Sequence, residues 1–314
     1  MRKSCLDSVY EFAKNDPRIV FVGSDLAAGV LDKFKHEMPG RFFMEGVSEG
    51  HIIGMASGLA RCGKIVYVNT IAAFLTRRCY EQNVIDLGLE NANVRLIANG
   101  GGMVYGPLGP THLAIEDIAI MRVIPNMMVL APADAVEMNY IMRASVQHIG
   151  PIYLRVAKGG DRVVSSHGGE FVLGKASGLL QSSAGSDVTF LATGVMAAYC
   201  LDAAEMLHGQ GIGCQVVHFH SVKPLDSQSV VNALAQSRVV ISVEEHFING
   251  GFGSAVAEIV AESAWRFPVL FKRLGLADAF VERYGSQEDL LRHYRLDGKG
   301  IAERTYRLFK QGAK

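Results

Sequence analysis

Two successive α/β domains, each doubly wound around a mostly parallel sheet, are what this sequence predicts. Three observations carry the prediction. Short β-branched runs alternate with helix-length amphipathic segments. Gly and Ser crowd into one stretch without periodicity near the middle. The 314 residues also divide into two units of about 150, each large enough for its own core.

In the first half, strands are read at 19–22 (IVFV), 65–68 (IVYV), 94–98 (VRLIA), 127–130 (MMVL) and 152–155 (IYLR). Helical patterns fall between them at 5–14, 50–61, 79–90 and 134–147. Strand–helix–strand alternation of this length demands crossover connections and so a parallel sheet covered on both faces. Periodicity is lost near AKGGDRVVSSHGGE, residues 157–170. The expected division is a first domain at 1–165, a linker region at 166–185 and a second domain at 186–314. The second series has strands at 188–191, 215–219, 239–243 and 268–274, with helices at 195–209, 227–236 and 253–264.

Composition narrows the function classes. Lys plus Arg and Asp plus Glu are balanced at 31 each, so the basic excess that marks nucleic-acid binding is missing. The opening stretch MRKSCLDSVYEFAKNDP meets charges before any long apolar run and does not read as a signal peptide. No uninterrupted apolar run of about 18 residues occurs, so no membrane partner is expected. Five scattered cysteines without a CxxC pair fit a reduced, cytoplasmic setting.

Three stretches could carry chemistry. Glu49 stands at the entry of a helix, 50–61, whose small residues Gly50, Gly54, Ala56, Ser57, Gly58 and Ala60 would let another backbone approach. A carboxylate there either caps the helix or is held for a ligand; Glu45 reads as a solvated loop residue. In NTIAAFLTRRCYEQ, Phe74, Arg78 and Tyr80 follow a strand's carboxyl end, where open α/β sheets bind ligands, although Phe74 in a core and Arg78 on a solvated helix fit as well. NGGGMVYGPLGPTH ends in His112, either a proton donor or a structural loop residue. Its glycines lack the spacing of a dinucleotide loop and instead permit close approach of a ligand or a neighbouring subunit. His218 and His220 lie on one strand face with no carboxylate or cysteine nearby in sequence, so no metal ligands are assigned.

Taken in order, GVSEGHIIGMASGLA, AAFLTRRCYEQ, GPTHLAIEDIAIMRVIPNMMVLAPADA, SVKPLD and VEEHFINGGFGSAVAE resemble the C-terminal half of transketolase, in the form that some bacteria encode as a separate subunit. The likeness spans residues 1–312. It implies a pyrimidine-binding domain followed by a transketolase C-terminal-type domain, with thiamine diphosphate as cofactor. By resemblance, Glu49 is the catalytic glutamate that hydrogen-bonds N1′ of the aminopyrimidine and so promotes loss of the thiazolium C2 proton. Phe74 packs on that ring, with Arg78 and Tyr80 in the same cofactor pocket. His112 is catalytic and touches substrate, and Arg155 and Lys158 contribute to substrate or anion binding. The reaction implied moves a two-carbon ketol unit from a ketose to an aldehyde.

The GDG segment that holds Mg2+ and the diphosphate is missing, so the resemblance implies a partner: an N-terminal transketolase subunit carrying that domain and its metal ligands, in an α2β2 heterotetramer. The chain also departs from the usual GEDGxTHQ. Pro107 and Leu108 replace an acidic pair, Leu113 replaces Gln, and Gly100 replaces an upstream histidine. A polar group that reads a sugar hydroxyl is worth about 1–3 kcal/mol, so a non-standard sugar substrate is expected. The rival expectations are the β subunit of a decarboxylating 2-oxo-acid enzyme and a non-catalytic scaffold subunit.

Overall fold

The computed structural model describes residues 1–24, 29, 31–165, 171–181, 186–263 and 269–312. In chain order its elements are α1 (Arg2–Asn15), β1 (Ile19–Gly23), α2 (Asp32–Glu37), β2 (Phe42–Met44), α3 (Glu49–Arg61), β3 (Ile65–Ile71), α4 (Tyr80–Gln82), β4 (Val94–Asn99), α5 (Asp117–Arg122), β5 (Met128–Leu130), α6 (Ala135–Gln147) and β6 (Ile152–Val156). There follow β7 (Ser177–Leu180), β8 (Ser186–Ala192), α7 (Met196–His208), β9 (Cys214–His218), β10 (Ser221–Lys223), α8 (Ser227–Gln236), β11 (Ser237–Phe247), α9 (Phe252–Ser263), β12 (Leu270–Leu276), α10 (Gln287–His293) and α11 (Gly298–Gly312).

Two sheets result. The first has the order β10-β5-β6-β4-β3-β1-β2, parallel except for β10, and the second has the order β12-β11-β8-β9-β7, parallel except for β7. β1, β4 and β6 are buried along their whole length, which is why their apolar residues do not alternate strictly with polar ones; the arginines within β4 and β6, Arg95 and Arg155, are buried too. Helix α3 packs Ile52, Ile53 and Ala56 onto the first sheet, each fully buried; the isoleucines contribute about 1.5–3 kcal/mol apiece. Asp134 caps α6, accepting from the N–H groups of Val136 and Glu137, and its other oxygen accepts from the N–H groups of Val164 and Ser165. One side chain thus starts a helix and fixes the segment after β6.

Several expectations need correction. The expected helix at 79–90 is irregular, with π-helical turns at Phe74–Arg78 and Asn83–Leu89 on either side of α4. β7 lies inside the stretch expected to be linker. Of the expected strand at 268–274, residue 268 falls outside the described residues, and so does part of the linker. Strand β10 comes from the second half of the chain yet pairs antiparallel with β5 of the first sheet, Ser221 opposite Leu130. Helix α3 is half-buried, and Gly54 and Gly58 face outward, where another backbone could still approach. Among the described residues, no helix is long and apolar enough to cross a membrane.

Candidate active site

Because β2, β3, β4 and β6 run parallel, the segments leaving their carboxyl ends share one edge of the first sheet. Those segments carry Glu49, Phe74 with Arg78, His112 and Lys158, in that order. The topology therefore gathers residues spread over more than a third of the chain.

Glu49 is the first residue of α3, and Ser48 is its N-cap. Its carboxylate does not cap the helix. It is 1% exposed and accepts from Arg78 Nη1 at 2.8 Å, whereas the arginine side chain is 46% exposed. The same guanidinium lies over the Phe74 ring, 4.0 Å from its centroid, a cation–π geometry. His112 meets Phe74 edge-on, with ring centroids 5.2 Å apart. Glu49, Arg78, Phe74 and His112 thus form one contact chain, and the segment after β3 supplies its middle. Tyr80 lies partly buried against the first core. Ser48, in a GVSEG run with nucleophile-elbow spacing, donates its hydroxyl to the Glu45 carbonyl at 3.0 Å and so closes the turn before α3.

Arg77, which sequence reasoning passed over, holds the histidine loop in place. It donates to Glu116 at 2.8 Å and to the carbonyl of Thr111 at 2.7 Å. The available signal was its place beside Arg78 at a strand's carboxyl end.

The triple glycine has another cause than the one expected. A Cβ on Gly100 would lie 2.1 Å from the Tyr105 ring, one on Gly101 2.3 Å from Arg155 Cγ, and one on Gly102 2.2 Å from Glu245 Oε2. Gly100 and Gly102 also have positive φ, 76° and 72°, which other residues adopt only with strain. The close approach is made by this chain's own side chains.

Arg155 is corrected in the same way. Expected at the substrate, it is 7% exposed and turned into the protein. Its Nε donates to Asp117 at 2.8 Å, and Nη2 donates to Asp117 and to the carbonyls of Ala114 and Glu245. Tyr153 also donates to Asp117, at 2.6 Å. Glu245, buried at the end of β11, accepts from the Met103 N–H and from Gln287. Burial raises the Glu245 carboxyl pKa, with Arg155 and these donors opposing the shift. This knot joins the loop of His112 to both domains, and Met103, Leu113 and Ile115 of that loop enter the second core. Leu113, in place of a glutamine, is therefore a core residue.

Lys158 is exposed and lines a cavity of about 510 Å3 between the two domains, together with Pro107, Arg162, Tyr199, Asp202 and Gln287. Arg162 pairs with Asp202 at 2.6 Å. Burial, aided by Glu245, pushes the Tyr199 hydroxyl up to about 12.

His218 and His220 do have a carboxylate between them, one that spacing could not reveal. Glu137 of α6 lies 2.8 Å from His218 Nε2 and 3.3 Å from His220 Nδ1, all three buried. Burial alone would raise the Glu137 carboxyl, but the two imidazoles hold it below the usual range. Among the described residues, no group of three or more His, Cys, Asp or Glu could hold a metal ion.

Comparison with known proteins accords with this geometry. Residues 1–160 match the family described as transketolase, pyrimidine binding domain, and residues 177–301 match transketolase, C-terminal domain. The chain is 37% identical over 307 residues to the 6-deoxy-6-sulfo-D-fructose transketolase subunit SqwH of Clostridium sp. (strain MSTE9), covering 98% of this chain and 93% of that protein. It is 35% identical over 312 residues to an apulose-4-phosphate transketolase subunit of Phocaeicola vulgatus, covering 99% and 97%. Among solved structures, a split gene transketolase described as an inactive beta4 tetramer superimposes with a TM-score of 0.88 at 33% identity, covering 98% of each chain.

Proposed function

Since the chain belongs to the transketolase family, as the separate C-terminal subunit of a divided thiamine-diphosphate enzyme, we propose that Glu49, Phe74 and His112 form its half of the catalytic site and that a modified sugar is its substrate. The observation that carries the reading is Glu49 itself, a carboxylate 1% exposed at the sheet's carboxyl edge, joined through one guanidinium to an aromatic face. These residues fit the cofactor's aminopyrimidine, because they already hold a planar N–H donor against both the carboxylate and the ring.

When bound, the cofactor supplies the electron sink for cleaving and re-forming the bond next to a ketose carbonyl. This chain's residues do the rest. Glu49, shielded from water, would hydrogen-bond the ring nitrogen with no solvent competing for its oxygens. Phe74 fixes the plane of the ring, and Tyr80 backs the helix beside it. Arg78 borders the same pocket. His112, on a loop clamped by Arg77, faces the space beside Phe74 from which a substrate oxygen is reached. Lys158 takes the distal, anionic end of the sugar, while Arg155 supports the loop from behind.

Pro107 and Leu108, both exposed, cannot accept a hydrogen bond from a sugar hydroxyl through their side chains. That favours a ketose altered at that position, in keeping with relatives named for sulfofructose and apulose phosphate. Mg2+ and the diphosphate belong to the partner subunit, in a heterotetramer with two copies of each chain.

Titrating thiamine diphosphate and Mg2+ into this chain, alone and with a GDG-bearing partner, tests the reading by near-UV circular dichroism. A saturable band only in the mixture, lost in Glu49→Ala, is expected; no band under any pairing overturns it. Turnover of xylulose 5-phosphate at ordinary transketolase rates would overturn the modified-sugar part alone.

A further inference from the structure

Arg78 holds two surfaces at once. Its Nη1 donates to Glu49 at 2.8 Å, and its guanidinium carbon lies 4.0 Å from the centroid of the Phe74 ring. A flat amidine-type group stacked on an aromatic face and bonded edge-on to a buried carboxylate is also a description of a bound aminopyrimidine. Guanidinium and ring cannot share that space.

We propose that Arg78 is a placeholder for the cofactor ring: it satisfies Glu49 and covers Phe74 until the aminopyrimidine displaces it. The proposal rests on the assignment of Glu49 and Phe74 to the ring. Exposure makes the exchange feasible. Glu49, at 1%, has no access to water and needs a donor at all times, whereas Arg78, at 46%, can give its donors to solvent. Its neighbour Arg77 cannot play this part, being fixed by Glu116 and the Thr111 carbonyl. The arginine therefore keeps the carboxylate partnered and oriented, and lowers the apparent cofactor affinity by the fraction of time it occupies the site.

A residue that merely contacts the cofactor predicts the opposite sign, which makes the test decisive. Arg78→Met and Arg78→Gln are each assembled with the partner subunit, and the dissociation constant of thiamine diphosphate is read from near-UV circular dichroism at fixed Mg2+. The melting temperature of each chain without cofactor is measured alongside. The expected result is affinity about three- to tenfold tighter in Arg78→Met, together with a lower melting temperature without cofactor. Arg78→Gln, still planar and able to donate, should fall between Met and wild type. Unchanged or weaker affinity in both variants overturns the proposal and makes Arg78 an ordinary cofactor contact. If the wild-type assembly itself shows no saturable signal, the assignment of Glu49 and Phe74 fails first and takes this inference with it.

Discussion

Two arginine–carboxylate pairs, each 2.8 Å long, stand at the same edge of the first sheet. Arg155 and Asp117 are exposed by 7% and 0%, whereas Arg78 and Glu49 are exposed by 46% and 1%. In the first pair every group around the charges is a fixed donor or acceptor of this chain. In the second, the cation has water as an alternative and the carboxylate has none. Length does not distinguish them; the alternatives open to each partner do. A pair enclosed on both sides is architecture, and breaking it strands a buried charge. A pair enclosed on one side leaves the buried member ready for a new partner.

The contrast can be broken at several points. The largest expected effect is on Glu49→Gln, which should lower turnover of the assembled enzyme by about 10²–10⁴-fold while leaving the melting temperature of the assembly nearly unchanged. A large loss of stability instead would place Glu49 with the architectural pairs. Asp117→Ala should do the reverse, destabilising the chain by about 3–5 kcal/mol in urea unfolding because Arg155 and Tyr153 lose their shared acceptor. If its unfolding midpoint stays at the wild-type value, the distinction drawn from burial collapses.

Glu244 sharpens the comparison through pH. Burial raises its carboxyl to about 7, against the N–H groups of Phe252 and Gly253 and the nearby cations Arg155 and Arg273. The folded state therefore binds this proton more tightly than the unfolded state. The stabilisation is full below about pH 4.5 and is lost as pH rises through about 7, on the order of 3 kcal/mol. Glu244→Gln should flatten that part of the stability–pH curve, measured by chemical unfolding from pH 5 to about pH 8. An unchanged slope would show that the proton is bound elsewhere. The smallest effect is expected for exposed Lys158. Lys158→Ala should raise KM for an anionic sugar by about tenfold, roughly 1.4 kcal/mol, with kcat little changed. A fall in kcat at constant KM would move the lysine from holding the sugar to the chemistry.

Much of the fold was legible because fully buried parallel strands leave short, mostly apolar runs, as in IVFV at 19–22 and VRLIA at 94–98. The three-residue strands at Phe42–Met44 and Ser221–Lys223 were not, since neither is long enough to show a period. In the site, Glu49 stood out at a helix entry, Phe74 and Arg78 after a strand and His112 at the end of a glycine-rich loop, and the four are brought together. Arg155 misled because a motif gives position along the chain but not the direction a side chain turns. Glu137 could not have been tied to His218, 81 residues away, by any local pattern. The triple glycine was noticed for the right reason, close approach, and given the wrong neighbours.

Strand β10 carries a consequence for how this protein can be divided. A fragment ending near residue 165 would keep six of the seven strands of the first sheet but leave β5 as a bare edge, its backbone groups turned out with nothing beside them. Such an edge invites pairing with other chains. Expressed alone, that fragment should precipitate or form aggregates that bind β-sheet dyes, and adding the second half in trans should rescue it. The two halves are separable as text and inseparable as objects: the later one supplies the selvedge that keeps the earlier one from fraying into its neighbours.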